Sequence, residues 1–328
     1  NVIVGPHCHA MQTKLKNIWN SDTKHFYASG VTSEDIGNWF CEAETYFESD
    51  FSRFDSTIHV DILKFMIKLM VRLGMNKQVA AVMQANLNAA TYTMKGVKFK
   101  VKGTRRSGTH DTSFGNTMIN MLIHAYIFEK AGNQAYRMIA LGDDNLTLVE
   151  DYKPVDLDLF FKFGLKSKNK ISRNGHEYDI EFCSSRFYPI EENKYILGPK
   201  LGRALARFGW FIRPRPDLVW RAQMLRGTAI SHYEDMYHIP VLRTMIDVIL
   251  KLTSTTGINF TQEQVERSHR LRAQHVHQLD KRIYILIELQ YGITKEQCDY
   301  LENLIKSVHT LPASLSHPLF DIMVQADK

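Results

Sequence analysis

The sequence predicts an α+β fold with a helical C-terminal third, and three observations carry that expectation. Residues 136–150, YRMIALGDDNLTLVE, set two extended apolar stretches around Gly142-Asp143-Asp144-Asn145, the pattern of a β-hairpin. Residues 58–74 (IHVDILKFMIKLMVRLG) and 112–132 (TSFGNTMINMLIHAYIFEKAG) have helical periodicity, with Gly74 and Gly132 where C-caps belong. Pro189, Pro199, Pro214 and Pro216 then mark a boundary beyond which Thr261 with Gln264, and Thr294 with Gln297, fit capping boxes ahead of periodic stretches. Residues 188–328 are therefore expected to be helical. Before them, 45–52 (TYFESDFS) and 137–144 (RMIALGDD) are expected as strands.

Composition narrows the function classes. The 328 residues are 44% hydrophobic and 23% charged, ordinary for a soluble globular chain. A formal net charge of +6 with a sequence pI near 9.0 is compatible with a polyanionic partner without requiring one. Cys8, Cys41, Cys183 and Cys298 are far apart and form no CxxC pair, which fits reduced thiols rather than a disulfide framework or zinc site. His7-Cys8-His9 offers ligand atoms, but adjacent residues rarely converge on one ion. No apolar run reaches membrane-spanning length, and the N-terminus lacks a signal-peptide pattern. The chain starts without an initiator Met, as though cut from something longer.

The chemistry gathers around carboxylates. Neighbouring Asp143 and Asp144 repel when ionised, so their turn needs either a cation or full solvation. Upstream, FESDFSRFDST puts Asp50 near the end of a strand and Asp55 five residues later, ahead of the helix starting near Ile58. A strand bearing Asp50 beside the hairpin would unite Asp50, Asp143 and Asp144, hard oxygen donors suited to Mg²⁺ or Mn²⁺. Two such ions can activate a hydroxyl and stabilise a leaving pyrophosphate. The alternative is that Asp50 or Asp55 caps the following helix, which Asp55 is better placed to do. In RRSGTHDTSFGNTMIN, Ser107-Gly108 makes a flexible loop, and Thr112 and Asn116 fall four apart on one helix face. That face suits a sugar or phosphate, or a plain Ser/Thr-capped helix.

Basic residues offer a path for a nucleic acid. MKGVKFKVKGTRR alternates Val97, Phe99 and Val101 with Lys98, Lys100 and Lys102 and ends in Arg105-Arg106, as a strand with one lysine face would. A solvated strand face has the same pattern. GRALARFGWFIRPRP (202–216) interleaves Arg203, Arg207, Arg213 and Arg215 with Trp210 and Phe211, suited either to backbone contact and stacking or to a buried helix edge.

Taken in order, these stretches resemble the palm motifs of RNA-dependent RNA polymerases from positive-strand RNA viruses. DFSRFD is similar to motif A, SGTHDTSFGN to motif B and GDDN to motif C; FGLKSKNK is similar to motif D and EFCSSRF to motif E. The Ser-Arg-Phe-Asp run and the Thr-x-x-x-Asn helix lean toward the tombusvirus- and nodavirus-like groups. The resemblance implies a right-hand polymerase: partial fingers in 1–44, palm in 45–70, a fingers insertion in 71–106, palm again in 107–187, and a helical thumb in 188–328. It implies Asp50 and Asp143 as principal ligands of Mg²⁺ or Mn²⁺, with Asp144 nearby. Asp55 and Asn116 would read the ribose 2′-hydroxyl, supported by Ser107, Gly108 and Thr112. A motif D lysine would be the general acid, Lys170 favoured over Lys166 and Lys168. Cys183 and Ser184 would lie in the turn holding the nascent 3′ end, and Lys98, Lys100, Arg105 and Arg106 would contact RNA.

The acceptor at Asp55 also argues for ribonucleotides, because a site that excludes a 2′-hydroxyl commonly places a bulky ring there. A site built to bond a hydroxyl rejects the analogue lacking it. Partners implied are an RNA template, nascent RNA, ribonucleoside triphosphates and other viral replication proteins, in the host cytoplasm, on replication membranes through regions outside this chain. Only Lys14, Lys16 and Lys24 are basic before Asp50, so the upstream fingers motif that grips the triphosphate is expected to be missing and these residues alone to polymerise poorly. Two rivals stand beside this reading. A two-metal nuclease would not need the Asp55–Asn116 pair, and an idle RNA-binding module would tolerate loss of Asp143.

Overall fold

The computed structural model describes residues 2–88, 90–101, 103–211, 217–258 and 279–328. They form two compact units, residues 1–30 with 43–174, and residues 31–42 with 175–328.

The strands of the first unit are β1 (His25–Tyr27), β2 (Thr45–Phe51), the short pair β3 (Thr91–Tyr92) and β4 (Lys98–Phe99), β5 (Tyr136–Leu141), β6 (Asp144–Val149) and β7 (Ser167–Arg173). Five of them make one sheet in the order β1-β5-β6-β2-β7, antiparallel except where β1 joins β5. Tyr46 and Phe47 of β2 are both fully buried, so the strand starts with neither face open to solvent and opens only toward Asp50. The Val60–Arg72 helix buries Leu63, Met66, Ile67 and Met70, the i, i+3, i+4, i+7 stripe of a core-facing helix. Each such side chain contributes about 1.5–3 kcal/mol through removal from water. The Thr112–Lys130 helix is buried nearly all round, including polar Asn116, Thr117, Asn120 and His124. Both helices end as expected. Gly74 (φ +105°) and Gly132 (φ +83°) take left-handed backbone, which lets Met75 N reach Met70 O at 2.9 Å and Asn133 N reach Phe128 O at 3.0 Å.

The alternation at 97–102 builds less than it promises. Only Lys98–Phe99 is strand, and Val97, Phe99 and Val101 lie exposed beside exposed Lys98 and Lys100. A two-strand ribbon has no second layer on which to bury an apolar face. Lys102 lies outside the described residues.

The second unit opens with a sheet, β8 (Glu181–Phe182), β9 (Ser185–Glu191) and β10 (Lys194–Pro199) in the order β10-β9-β8, and continues as helices. Residues 188–191 and 194–199, at the start of the segment expected to be helical, are thus strand. Pro189 is tolerated within β9 because two-residue β8 stops pairing at Arg186, leaving no ladder bond on that side for Pro189 to break. The Ser33–Trp39 helix lies on β10 so closely that a Cβ at Gly37 would sit 2.1 Å from Tyr195 O, and Phe40 stacks on Phe187 at 4.0 Å. The Thr294–Gln297 capping box is present, with Thr294 N donating to Gln297 Oε1 at 2.9 Å. The Thr261–Gln264 box, Arg213 and Arg215 lie outside the described residues.

The Pro318–Ala326 helix is pinned at its end. Asp327 Oδ2 accepts from Gly202 N and from Tyr291 Oη, both at 2.8 Å, and Arg186 Nη1 donates to the same Tyr291 Oη at 2.8 Å. No described helix is long and apolar enough to cross a membrane.

Candidate active site

Asp50 owes its position to strand register. Ser49 pairs with Asn145 of β6 on one side, and Asp50 pairs with Lys168 of β7 on the other. One residue past the last β2–β6 pair, Asp50 stands beside the turn that joins β5 to β6. That turn is Gly142 and Asp143, closed by the Leu141–Asp144 pair. Gly142 has φ +66°, a left-handed value at which a side chain would be strained.

The Thr112–Lys130 helix holds this turn. Gly142 N donates to Thr117 Oγ1 at 2.8 Å. Asn120 Nδ2 donates to Asp143 O at 2.8 Å and reaches Gly142 O at 3.2 Å and Asp144 O at 3.3 Å. Thr117 and Asn120 fall outside the motif pattern. Their signal in the sequence is the run of polar positions 116, 117, 120 and 124 in an otherwise apolar helix.

The Asp143 carboxyl lies above its usual range. Partial burial is the main cause, a backbone hydrogen bond at its own position offsets part of it, and the negative fields of Asp55 and then Asp50 raise it further. Among the described residues, no three His, Cys, Asp or Glu side chains stand close enough to hold an ion together, so Asp50, Asp143 and Asp144 do not form a ready-made cage. Uncompensated carboxylates repel one another. The donors nonetheless fit a divalent cation: they are hard oxygens, and the field that penalises ionised Asp143 is one that a cation would reverse.

Asp55 sits in the short helical turn Phe54–Thr57. Its Oδ1 accepts from Asn116 Nδ2 at 2.6 Å, and its Oδ2 accepts from the Ser107 hydroxyl. Backbone bonds bring the loop there: Arg105 N donates to Asp55 O at 2.8 Å and Thr104 N to Ile58 O at 3.2 Å. Asp55 does not cap the following helix, a task taken by His59, whose Nδ1 accepts from Asp61 N at 3.3 Å. Asn116 Oδ1 is buried with no partner among the described residues. An open cleft of about 750 Å³ is lined by Asp55, Ser107, Thr112, Asn116, Gly142 and Asp143.

Several expected roles change. Thr112 Oγ1 donates to Arg106 O at 3.0 Å, so that hydroxyl shapes the loop around Gly108 (φ +83°). Arg105, expected among the RNA contacts, is buried: its Nη1 donates to Asp111 Oδ2 at 2.6 Å and its Nη2 lies 2.9 Å from Met66 Sδ. Gly115 makes room, since a Cβ there would lie 2.9 Å from the guanidinium. A buried guanidinium committed to a carboxylate braces the loop and offers nothing to RNA. Lys98 and Lys100 are exposed and Arg106 is half-exposed, as contact with a polyanion requires. Lys170 Nζ lies 3.4 Å from Glu48 Oε1 and Lys168 is directly across from Asp50; both lysines are solvent-exposed. Cys183 and Ser184, with φ of +51° and +59°, form the two-residue turn between β8 and β9 in the second unit.

A family model described as RNA dependent RNA polymerase matches residues 1–209. The chain belongs to that family. The match takes in the five stretches that resemble motifs A to E and every candidate site residue named above. Three curated relatives, each named RNA-directed RNA polymerase, align with it. The one from Pariacoto virus is 27% identical over 50% of this chain and 18% of its own length. The one from melon necrotic spot virus is 24% identical over 76% and 33%, and the one from oat chlorotic stunt virus 30% identical over 50% and 23%. The chain thus spans between 18% and 33% of the length of these relatives. The resemblance to viral RNA-dependent RNA polymerases of the tombusvirus- and nodavirus-like groups is borne out.

Proposed function

We propose that this chain is the catalytic core of a viral RNA-directed RNA polymerase. It would add ribonucleotides to an RNA 3′-hydroxyl on an RNA template during genome replication. One observation carries the reading. Asp55, bonded to Asn116 and Ser107, faces the same cleft as Asp143, so a sugar-reading group and a metal-ligand candidate share one open space.

Asp50 and Asp143, with Asp144 beside them, would hold Mg²⁺ or Mn²⁺, and the ions would supply charge for the attacking hydroxyl and the leaving pyrophosphate. The chain's own residues position the rest. Asp55 Oδ1 and Asn116 offer acceptors for a 2′-hydroxyl, and the orphan Asn116 Oδ1 is suited to receive a proton from it. Lys168, opposite Asp50, would give a proton from Nζ to the pyrophosphate; it replaces Lys170 in that role. Lys98, Lys100 and Arg106 would contact the RNA backbone, and the Cys183–Ser184 turn would hold the nascent 3′ end. In this reading the chain has the right-hand layout: partial fingers in 1–44 and 71–106, palm in 45–70 and 107–187, and thumb in 188–328. It would work with other viral replication proteins at membranes of the host cytoplasm.

The test is extension of a primed RNA template by the polymerase carrying this chain, with ribonucleoside triphosphates and Mg²⁺ or Mn²⁺. Template-dependent extension that Asp143→Asn abolishes is the expected result. RNA cleavage in place of extension would indicate a nuclease. RNA binding that is indifferent to divalent metal and to Asp143 would indicate a binding module.

A further inference from the structure

A line of buried polar groups crosses the first unit behind the carboxylates. Ser49, the residue before Asp50, has Oγ 2.8 Å from His124 Nε2 and 2.9 Å from the Asn169 amide of β7. His124 Nδ1 lies 2.9 Å from Asn120 O, and the Asn120 side chain clasps the 142–144 turn. Asn169 in turn lies 2.9 Å from Ser167 Oγ. The contacts thus run from β7 through the strand that carries Asp50 to the helix that holds Asp143.

Hydrogen-bond chemistry fixes the direction of this line. A carbonyl oxygen only accepts, so the proton on His124 must be at Nδ1, facing Asn120 O. The ring is fully buried, edge-on to Phe47, Phe51 and Phe160, and burial pushes it down to about 4, so it is neutral at physiological pH. A neutral ring protonated at Nδ1 leaves Nε2 as an acceptor, and Ser49 must spend its one hydroxyl proton there. The Asn169 amide stands with Oδ1 toward Ser49 and Nδ2 toward Ser167. Because the Ser49 proton is committed to His124 and the two ends of the amide have the same shape, the amide is assigned turned over, its NH₂ donating to Ser49 and its oxygen accepting from the Ser167 hydroxyl. Every bond in the line is then satisfied once, in one order.

We infer that His124, held as the neutral Nδ1–H tautomer, is a positioning residue that fixes Asp50 relative to the Asp143 turn through Ser49 and Asn120. The inference rests on the polymerase reading, because its consequence is the separation of two carboxylates that share a cation. His124 touches neither carboxylate and no reacting atom. Its effect is to remove freedom from the two elements that carry them, as outer groups do around metal ligands generally.

Two variants and one spectrum test this. His124→Phe suits the aromatic surroundings but makes neither hydrogen bond, while His124→Gln can restore an acceptor for Ser49. With the polymerase carrying this chain on a primed RNA, His124→Phe is expected to lower kcat about 10–100-fold. The KM for ribonucleotides and the RNA affinity should stay unchanged, and His124→Gln should recover part of the loss. An unchanged kcat in His124→Phe, or KM and RNA affinity worsening in step with kcat, overturns the proposal. Nitrogen NMR of selectively labelled histidine gives a second measurement in the unmodified protein: protonated Nδ1 with bare Nε2 is required, and the opposite tautomer or a charged ring at neutral pH also overturns it. Failure of the unmodified enzyme to extend RNA strikes the polymerase reading instead, whereas extension that His124→Phe leaves intact strikes only the role of His124.

Discussion

Replacing Asn116 by Ala removes the 2.6 Å bond from its Nδ2 to Asp55 Oδ1 and, with it, the unpartnered Oδ1 beside the cleft. The bond has an ionised acceptor on one side, and hydrogen bonds to charged groups contribute about 1.5–3 kcal/mol. Asp55 keeps Ser107, so the carboxylate loses one of two side-chain partners and its aim with it. If that aim is what recognises a ribose hydroxyl, the same energy disappears from the difference between ribo- and deoxyribonucleotides. At about 1.36 kcal/mol per factor of ten, this is roughly a 10- to 150-fold fall in discrimination. The assay is competition between paired triphosphates on a primed RNA, read as the ratio of kcat/KM values. Asp55→Ala should act in the same direction, and the double variant should lose less than the sum, because both side chains make one bond. An unchanged ratio in both single variants, with RNA still bound, would refute the reasoning and leave the pair as a brace between Phe54–Thr57 and the Thr112–Lys130 helix.

Asp50→Asn and Asp143→Asn should each remove nearly all incorporation while the fold persists by circular dichroism; near-normal extension by either would defeat the metal assignment. Because the Asp143 carboxyl is held above its ordinary range, its ionised form opposes folding at neutral pH, so Asp143→Asn should also raise the melting temperature. Lys168→Ala should slow incorporation about 100-fold, as loss of a general acid does. Lys170→Ala should break the ion pair with the largely buried Glu48 and cost about 1–3 kcal/mol of stability, with little change in kcat; an effect on kcat equal to that of Lys168→Ala would contradict the register argument. His124 is kept neutral down to about 4 against an ordinary 6.5, so above pH 6.5 it has no effect on the pH dependence of stability. As pH falls from 6.5 to 4 the unfolded chain takes up a proton that the folded one refuses, at a loss of about 3 kcal/mol, which chemical denaturation should show in the native protein and not in His124→Gln. Gly202→Ala would place a Cβ 1.9 Å from Met323 O, and should destabilise the second unit by about 3 kcal/mol or more, measured by thermal unfolding.

The sequence made legible those parts of the site that local chemistry dictates. Gly142-Asp143 is legible as a turn because glycine beside paired carboxylates suits one, β2 follows from the aromatic, extended-type run at 45–51, and the Thr112–Lys130 helix from its length and the C-cap glycine Gly132. Arg105 was misread because a basic pair beside alternating lysines looks the same whether it faces RNA or turns inward. Only the contact with Asp111, and the space left by Gly115, separate the two cases. Lys168 and Lys170 are indistinguishable by spacing, and only strand register shows that one lies opposite Asp50 and the other opposite Glu48. β9 and β10 were hidden by Pro189 and Pro199, read as breakers when pairing on one side leaves room for proline. Thr117, Asn120 and His124 each resemble an ordinary polar interruption of a helix, and only their partners in distant strands give them meaning.

Residues 31–42 belong with the second unit although the chain around them builds the first. During synthesis, Trp39 and Phe40 emerge long before the strands they cover, since Phe187 and Tyr195 follow about 150 residues later. At about 5–20 residues per second the wait is roughly 8–30 s, with two large aromatic side chains unburied in the nascent chain. That interval is an opening for chaperones, and for mispairing between ribosomes on one message. It also constrains protein engineering: an expression boundary placed at residue 175 yields a second unit with the aromatic face of β9 and β10 stripped, whereas one that carries 31–42 on a linker returns the missing layer.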